Sequence, residues 1–319
     1  MNLVFFGTAP FAAHALKTLV ASRHRIVLCV TQPDRPQGRG QQERPSPVKA
    51  WALEHSITVV QPERLEGAGI LKKFKDCPSD LGVVVAYGQK IPAAVLNVPK
   101  LGCVNIHASL LPRHRGAAPI QWAIACGDTT TGITVIQMNE RIDAGDILYQ
   151  RELDIGDRET ATGLERRLAD LMSECLIGGL KELEKGALKA RPQLERGVTY
   201  APRLKKEDGL IHWSWTAEKV DRWVRAMQPW PGAYTWWKGK LIKILKGSSI
   251  PLPEPDEAPA KPSAAGQAGS AVKVSPEGIE VACGERAYRI TELQLESGRA
   301  LSASEFLNGH TLQAGERLG

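Results

Sequence analysis

The chain has 319 residues, 43% of them hydrophobic and 24% charged, an ordinary composition for a globular protein and enough length for two domains. No stretch approaches the roughly 20 apolar residues of a membrane span, and the first residues carry no signal-peptide pattern. Membrane and secreted classes are therefore excluded and a cytoplasmic protein is predicted. Lys and Arg number 41 against 35 Asp and Glu, a net charge of +6, which fits a polyanionic partner without requiring one.

The first predicted elements are a strand, a turn and a helix. Residues 3–6 form an apolar run that predicts a buried strand, and residues 11–20 place apolar side chains at helical spacing. Residues 25–31 predict a second strand. This order is similar to the start of a dinucleotide-binding unit, but Gly7 is the single glycine before the helix, whereas the fingerprint requires three. A nicotinamide cofactor is therefore not expected.

A long segment rich in glycine and proline, residues 32–49, follows the second strand. Loops of more than about 12 residues inside compact domains are usually functional or disordered. Composition alone slightly favours a merely solvated loop.

Further strand-like runs follow at residues 57–60, 81–86 and 103–106, with helical stretches at 46–56 and 70–75 between them. Continuous apolar strands that alternate with helices predict an α/β fold, a Rossmann-like parallel sheet covered on both faces. Such sheets bind their ligands at the carboxyl ends of the strands.

Asn105 and His107 stand at one of these strand ends, and alternation along the strand predicts that both project from one face. An amide donates to a developing oxyanion, and a histidine shuttles a proton or, when charged, stabilises that oxyanion. Residues 132–138 predict another strand, which leads to Asp143, a carboxylate suited to orient the imidazole. The set has no nucleophile of its own. Taken alone, an Asn and a His at a strand end are more often loop hydrogen-bonding groups than catalysts.

The C-terminal part is predicted to be a smaller β domain. Residues 162–184 predict a long helix that packs as core, and residues 217–225 a short helix. Strands are predicted at 240–245, 271–274, 279–282 and 287–290, and short strands separated by glycine turns are typical of a small barrel. Residues 251–270, rich in Pro, Ala, Gly and Ser, predict a flexible loop. The expected domains are 1–188 and 207–319, joined by a linker at 189–206.

Basic side chains outnumber acidic ones between residues 203 and 246, which favours a surface that follows a nucleic-acid backbone. The tryptophans of this region are individually more expected in the core than as stacking platforms. They are Trp213, Trp215, Trp223, Trp230, Trp236 and Trp237. The six cysteines show no C-x-x-C pair and are predicted to be buried, reduced thiols.

Three short motifs stand in one order: Asn-Ile-His-Ala-Ser-Leu-Leu-Pro at 105–112, Arg-Gly-Ala-Ala-Pro at 115–119 and Asp-Ala-Gly-Asp at 143–146. Together they resemble the signature of the folate-dependent formyltransferases. The likeness covers nearly the whole chain, from Phe-Gly-Thr at 6–8 to Gln-Pro-Trp-Pro-Gly-Ala at 228–233, and it is greatest to members that formylate methionyl-tRNA.

The resemblance implies 10-formyltetrahydrofolate as formyl donor and the α-amino group of initiator methionyl-tRNA as acceptor, with no metal. It implies that Asn105 is an oxyanion donor, that His107 stabilises the oxyanion and handles protons, and that Asp143 orients His107 and assists proton transfer. It also implies an OB-like C-terminal barrel, a monomer without a stable protein partner, and no membrane association.

The resemblance also assigns binding residues. The folate pocket is expected to be lined by Ser109, Leu110, Leu111, Pro112, Tyr87, Gly88 and Gln137. The tRNA contacts are expected at Arg39 and its loop neighbours Arg35 and Arg44, and at Lys205, Lys206, Lys238, Lys240 and Lys243. The chain departs from the family pattern at Gln41-Gln42, where basic residues are common, and at Thr8-Ala9-Pro10-Phe11, where the proline is shifted.

Three alternatives stay open at this stage. In the first, the formyl group goes to a small amine such as a nucleotide precursor or an amino sugar. In the second, the acceptor is water. In the third, the chain is a non-catalytic RNA-binding protein with a degenerate fold. The long loop around Arg39 and the basic C-terminal domain disfavour the first two. The intact set of Asn105, His107 and Asp143 disfavours the third.

Overall fold

The computed structural model describes residues 1–37, 42–251 and 267–319. The chain divides into two compact units, and the second takes two segments that precede residue 165. The first unit consists of Met1–Pro119, Thr130–Asp154 and Glu165–Arg203, and the second of Ile120–Thr129, Ile155–Leu164 and Leu204–Gly319. The predicted domain boundaries at 188 and 206 stay predictions.

The elements described up to residue 203 are eleven strands and six helices. In chain order they are β1 (Asn2–Gly7), α1 (Pro10–Val20), β2 (Arg25–Val30), β3 (Arg35–Gln37), β4 (Gln42–Arg44), α2 (Pro47–Glu54), β5 (Val59–Val60), α3 (Ala68–Lys75), β6 (Leu81–Val85), α4 (Ala93–Leu96), β7 (Cys103–His107), β8 (Arg115–Gly116), α5 (Pro119–Cys126), β9 (Thr130–Gln137), β10 (Ile147–Asp154), α6 (Ala161–Glu184) and β11 (Tyr200–Ala201).

Seven strands form the main sheet, in the order β10-β9-β7-β6-β1-β2-β5. Strands β7, β6, β1, β2 and β5 are parallel, which confirms the predicted Rossmann-like sheet for that part. The sheet is mainly parallel, and at one edge β9 runs antiparallel to β7 and β10 antiparallel to β9. The end of β9 therefore lies beside the start of β7.

The sheet is buried on both faces, as its continuous apolar strands predict. On one face, Phe6 stacks on Phe74 of α3 with ring centroids 5.7 Å apart. On the other face, Leu176 and Leu180 of α6 and Val104 of β7 line one small apolar cavity. The two faces follow from the alternation of side chains along each strand.

The segment at 32–49 contains an antiparallel hairpin, β3–β4, in which Arg35 pairs with Arg44. Ser46 then begins helix α2, since its side chain accepts a hydrogen bond from the Lys49 N–H at 3.0 Å. Arg39 and Gln41 lie outside the described residues.

The second unit is an antiparallel β domain, as predicted. After a 3-10 helix (Lys206–Gly209) it contains α7 (Ala217–Ala226), β12 (Tyr234–Trp237), β13 (Lys240–Ile250), β14 (Ala271–Ser275), β15 (Gly278–Ala282), β16 (Ala287–Leu295), β17 (Leu301–Ser302) and α8 (Ala303–Gly309). The sheet order is β12-β13-β16-β15-β14, with β17 paired to β16. Most of the predicted flexible loop, residues 252–266, lies outside the described residues.

Two predictions about side-chain burial are wrong in part. Trp230 and Trp236 are 55% and 43% exposed, whereas a core position was expected for each tryptophan. Cys126 is exposed and Cys77 partly so, although four of the six thiols are buried, and none of the six, all within the described ranges, forms a disulfide. Burial depends on neighbours from distant parts of the chain, which local sequence does not specify.

No helix within the described ranges is long and apolar enough to cross a membrane.

Candidate active site

The structure brings Asn105, His107 and Asp143 together. Asn105 and His107 are on β7, and both side chains reach the Asp143 carboxylate on the loop between β9 and β10. The Asn105 amide nitrogen donates to Asp143 Oδ1 at 3.0 Å, and His107 Nδ1 lies 3.6 Å from Asp143 Oδ2. The side chains of His107 and Asp143 are 6% and 12% exposed. The antiparallel turn from β9 into β10 is what returns Asp143 to this strand.

The His107 ring is fixed by the oxygen on its far side. His107 Nε2 lies 2.8 Å from the backbone oxygen of His114. A carbonyl oxygen only accepts hydrogen bonds, so Nε2 carries the hydrogen and donates it. A second proton on His107 would therefore sit on Nδ1, the nitrogen that faces Asp143.

The Asn105 amide has one more N–H group than its contact with Asp143 uses. Its amide nitrogen carries two hydrogens, and one of them goes to Asp143. Asn105 is also partly exposed, in contrast to the buried His107. The bond to Asp143 therefore leaves the second N–H of this partly exposed amide unused by that carboxylate.

A backbone N–H completes the carboxylate's environment. Gly116 N donates to Asp143 Oδ2 at 2.9 Å. Gly116 belongs to β8, which pairs in parallel with β11, and its φ is +128°. A Cβ at this position would come within 2.5 Å of the Ala201 oxygen. Glycine is therefore required here by both the conformation and the close approach of β11.

The residues predicted to line a folate pocket occupy different settings. Gly88 is exposed at the carboxyl end of β6, while Tyr87 beside it is buried and packs edge-on against Phe6. Burial raises the pKa of the Tyr87 phenol well above its usual range, so the group stays neutral. These residues lie at the same sheet edge as the end of β7.

Ser109 and Leu111 are buried, and Leu110 and Pro112 are half-buried. The Ser109 hydroxyl donates to the Arg113 oxygen at 2.7 Å, which closes the turn after β7. Gln137 is not brought into this cluster, because it lies level with Val104 at the start of β7 and donates to Leu101 O and Cys103 O. All of these pocket assignments stay predictions.

Two of the arginines predicted to contact tRNA are exposed on the β3–β4 hairpin. Arg44 lies across from Arg35, and Arg35 Nη2 donates to Glu63 Oε2 at 3.0 Å. Arg39, the third arginine expected to contact tRNA in this loop, lies outside the described residues.

Among the predicted lysines, Lys205, Lys206 and Lys240 are exposed and Lys243 is half-buried. Lys238 differs from them, since its ammonium lies 3.1 Å from Glu316 Oε1 and 4.7 Å from the centre of the Trp237 ring. Part of its charge is thus already matched within the protein.

The sequence pattern did not indicate Gln193, which contacts the Asp143 loop from the segment predicted to be a linker. Gln193 Nε2 donates to the backbone oxygens of Asp143 and Gly145, both at 2.8 Å. Nothing in the local pattern around residue 193 signals this contact. The described part of the chain contains no cluster of His, Cys, Asp or Glu side chains that would hold a metal ion.

The fold and the family models together define a formyl transferase. Residues 1–180 match the model described as formyl transferase, and residues 203–311 match the formyl transferase C-terminal domain. The chain is 43% identical to the methionyl-tRNA formyltransferase of Citrifermentans bemidjiense over 100% of its own length and 96% of the relative. It is 44% identical to that of Thiobacillus denitrificans, with 100% of both chains covered. The chain belongs to the methionyl-tRNA formyltransferase family.

Solved structures share the fold at lower identity. HypX from Aquifex aeolicus, in complex with tetrahydrofolic acid, matches with a TM-score of 0.60 and 20% identity over 97% of this chain. The chain spans about half of that structure, 48% of its length. The likeness supports the architecture described above.

Proposed function

We propose that this protein transfers the formyl group of 10-formyltetrahydrofolate to the α-amino group of initiator methionyl-tRNA, in the cytoplasm. The observation that carries the proposal is the likeness over 319 residues to relatives named methionyl-tRNA formyltransferase. The cluster of Asn105, His107 and Asp143 supports it, because these groups suit a reaction in which the substrate supplies the nucleophile.

The reaction needs positioning and charge stabilisation rather than a side-chain nucleophile. The neutral amine of the methionyl group attacks the formyl carbon, and the carbonyl oxygen becomes an oxyanion. The bond between the formyl carbon and the folate nitrogen then breaks, while the amine loses a proton and the folate nitrogen gains one. Holding both substrates together and stabilising the oxyanion supply most of such a rate enhancement.

Asn105 is assigned as the oxyanion donor. Its second amide N–H is not used by Asp143, and the residue is partly exposed at the end of β7. A neutral donor fixed in this way is already oriented when the oxyanion forms, so little reorganisation is needed during the reaction.

His107 and Asp143 are assigned to charge and proton handling. Because His107 Nε2 already donates to the His114 oxygen, a proton gained by the ring resides on Nδ1, beside Asp143. The resulting imidazolium stabilises the oxyanion through its charge. Asp143 orients the ring and assists transfer of the proton from the amine to the leaving nitrogen.

The finer assignments belong to the same proposal. Folate is expected to contact residues 87–88, 109–112 and 137, and tRNA the loop with Arg35, Arg39 and Arg44 together with the lysines at 205, 206, 238, 240 and 243. Exposed basic side chains support the tRNA assignment, since contacts to phosphate supply much of nucleic-acid affinity. We further propose that the protein acts as a monomer, without a metal or a membrane partner.

One assay tests the proposed function. The protein is incubated with 10-formyltetrahydrofolate labelled in the formyl group and with charged initiator tRNA, uncharged initiator tRNA, an amino sugar nucleotide or no acceptor. Label is expected on charged initiator tRNA alone. Transfer to the amino sugar would indicate a small-amine acceptor, and equal loss of label without any acceptor would indicate a hydrolase. Binding of tRNA without turnover would indicate a non-catalytic RNA-binding protein.

A further inference from the structure

The loop that carries Asp143 has a demanding backbone conformation. Asp143 itself has a φ of +50°, a region that residues with a side chain rarely adopt. Two residues later, a Cβ at Gly145 would come within 1.8 Å of the Gln137 oxygen. The loop is therefore tightly turned at the residue whose carboxylate contacts Asn105 and His107. Within the loop, the Asn139 amide donates to the Ala144 oxygen at 3.3 Å, and further contacts come from outside it.

Gln193 provides two such contacts. Its amide nitrogen donates to the Asp143 oxygen and to the Gly145 oxygen, each at 2.8 Å. An amide nitrogen has two hydrogens, so both are used on this loop. The two carbonyls lie on either side of Ala144, and Gln193 therefore clamps the backbone at the turn.

Arg115 sets the orientation of Gln193. The Arg115 Nε and Nη2 atoms donate to Gln193 Oε1 at 3.1 and 2.8 Å. A guanidinium only donates, so it can bond only the oxygen end of the amide and directs the nitrogen end toward the loop. Arg115 is 6% exposed, and its own position is thus fixed by its surroundings.

Arg115 and its neighbour Gly116 hold Asp143 at two points. Gly116 N donates to the Asp143 carboxylate at 2.9 Å, whereas Arg115 reaches the Asp143 backbone through Gln193. The contacts form a closed ring through Asp143, Gly116, Arg115 and Gln193. Side chain and main chain of Asp143 are fixed by the same dipeptide.

We propose that Gln193, oriented by Arg115, is a positioning residue that holds Asp143 where its carboxylate serves both Asn105 and His107. The inference rests on the proposed function, because it assigns Asp143 a role in formyl transfer. Gln193 itself contacts no reacting atom in this assignment. Its effect is on the geometry of Asp143.

The first test compares two substitutions at residue 193. Gln193→Leu removes the contacts to both Arg115 and the loop. Gln193→Glu keeps an oxygen for Arg115 but turns a second oxygen toward the two loop carbonyls. Both are expected to lower kcat about 10- to 100-fold, since displacing a catalytic group by about 1 Å costs rates of this order. The KM for 10-formyltetrahydrofolate is expected to stay within about 2-fold, because ground-state binding is not what the contact supports.

Two comparisons separate positioning from general stability. The double variant Arg115→Met with Gln193→Leu is expected to be no slower than the slower single variant, because both residues act through one contact. Independent structural contributions would instead multiply. Ser173→Ala is the matched control, as it removes a hydrogen bond of 2.8 Å to Thr18 between α6 and α1. Its kcat is expected to equal that of the parent.

A measurement that needs no turnover completes the test. Hydrogen exchange of the backbone amides in residues 139–146 is expected to be faster in Gln193→Leu than in the parent and unchanged in Ser173→Ala. If the parent protein formylates no charged tRNA, the proposed function is overturned. Hydrogen exchange then still tests whether Gln193 holds the loop. Parent-like kcat in folded Gln193→Leu, multiplying losses in the double variant, or parent-like exchange in the loop would each overturn the positioning role.

Discussion

Gly116→Ala is the substitution for which the structure gives the clearest quantitative expectation. The new Cβ would lie 2.5 Å from the Ala201 oxygen, about 0.9 Å short of the 3.4 Å at which ordinary contact begins. That neighbour is backbone and cannot swing aside. The φ of +128° adds strain that only glycine avoids. Strain and crowding each cost about 1–3 kcal/mol, so the free energy of unfolding is expected to fall by about 2–6 kcal/mol.

The same displacement acts on the rate of formyl transfer. Moving Gly116 N by about 0.9 Å lengthens its 2.9 Å contact with Asp143 Oδ2 beyond hydrogen-bond range. A hydrogen bond to a charged group contributes about 1.5–3 kcal/mol, so kcat is expected to fall about 10- to 150-fold. The measurement is steady-state formylation of charged initiator tRNA at a temperature where circular dichroism shows a fully folded variant, together with thermal melting.

A matched glycine controls for the substitution itself. Gly178 is on α6, and a Cβ there meets nothing within 4 Å. Gly178→Ala is expected to raise stability by about 0.5–1 kcal/mol through helix propensity and to leave kcat unchanged. If Gly116→Ala has the melting temperature and kcat of the parent, the argument that residue 116 must be glycine to hold Asp143 is refuted.

Three further outcomes are expected. Asn105→Ala should lower kcat on the order of 100- to 1000-fold with little change in melting temperature, and near-parent turnover in a folded variant would remove Asn105 from the catalytic assignment. Lys240→Gln combined with Lys243→Gln should flatten the dependence of tRNA affinity on salt concentration, which filter binding at several ionic strengths measures; an unchanged slope would place the phosphate contacts elsewhere. Cys126 should react fastest with a thiol reagent at neutral pH, because burial raises the pKa of the Cys29 and Cys103 thiols to about 12; equally fast labelling of Cys126→Ser would contradict this.

The sequence predicts those parts of the site that depend on local geometry. Asn105 and His107 are two apart on a strand, so their common face follows from alternation, and the structure has both contacting Asp143. The strand before Asp143 is also visible as an apolar run. Its antiparallel direction is not, because apolar periodicity is the same whichever way a strand runs. The return of Asp143 to β7 depends on that direction.

Gln193 marks the limit of sequence reasoning. Its two N–H groups donate to backbone oxygens. Every residue has a backbone oxygen, so the sequence does not show which ones will accept. Arg115 appears in the sequence as part of a short motif, but its acceptor is 78 residues away. The exposure of Trp236 is unpredictable for a related reason, since a tryptophan has the same local pattern whether or not distant residues cover it. Long-range contacts and burial are properties of the assembled fold.

Because the chain is synthesised from its N-terminus, Gln193 is made after the loop that it contacts. Gln193 follows Asp143 by 50 residues. Thr199, whose hydroxyl accepts from His114 N, follows His114 by 85 residues. A nascent chain that ends with α6 at Glu184 already contains every strand of the seven-stranded sheet. It lacks the clamp on Asp143 and the β11 strand beside Gly116. During synthesis, all seven strands of the sheet are thus made before Gln193 and β11, so the candidate site is completed later than the sheet that carries it.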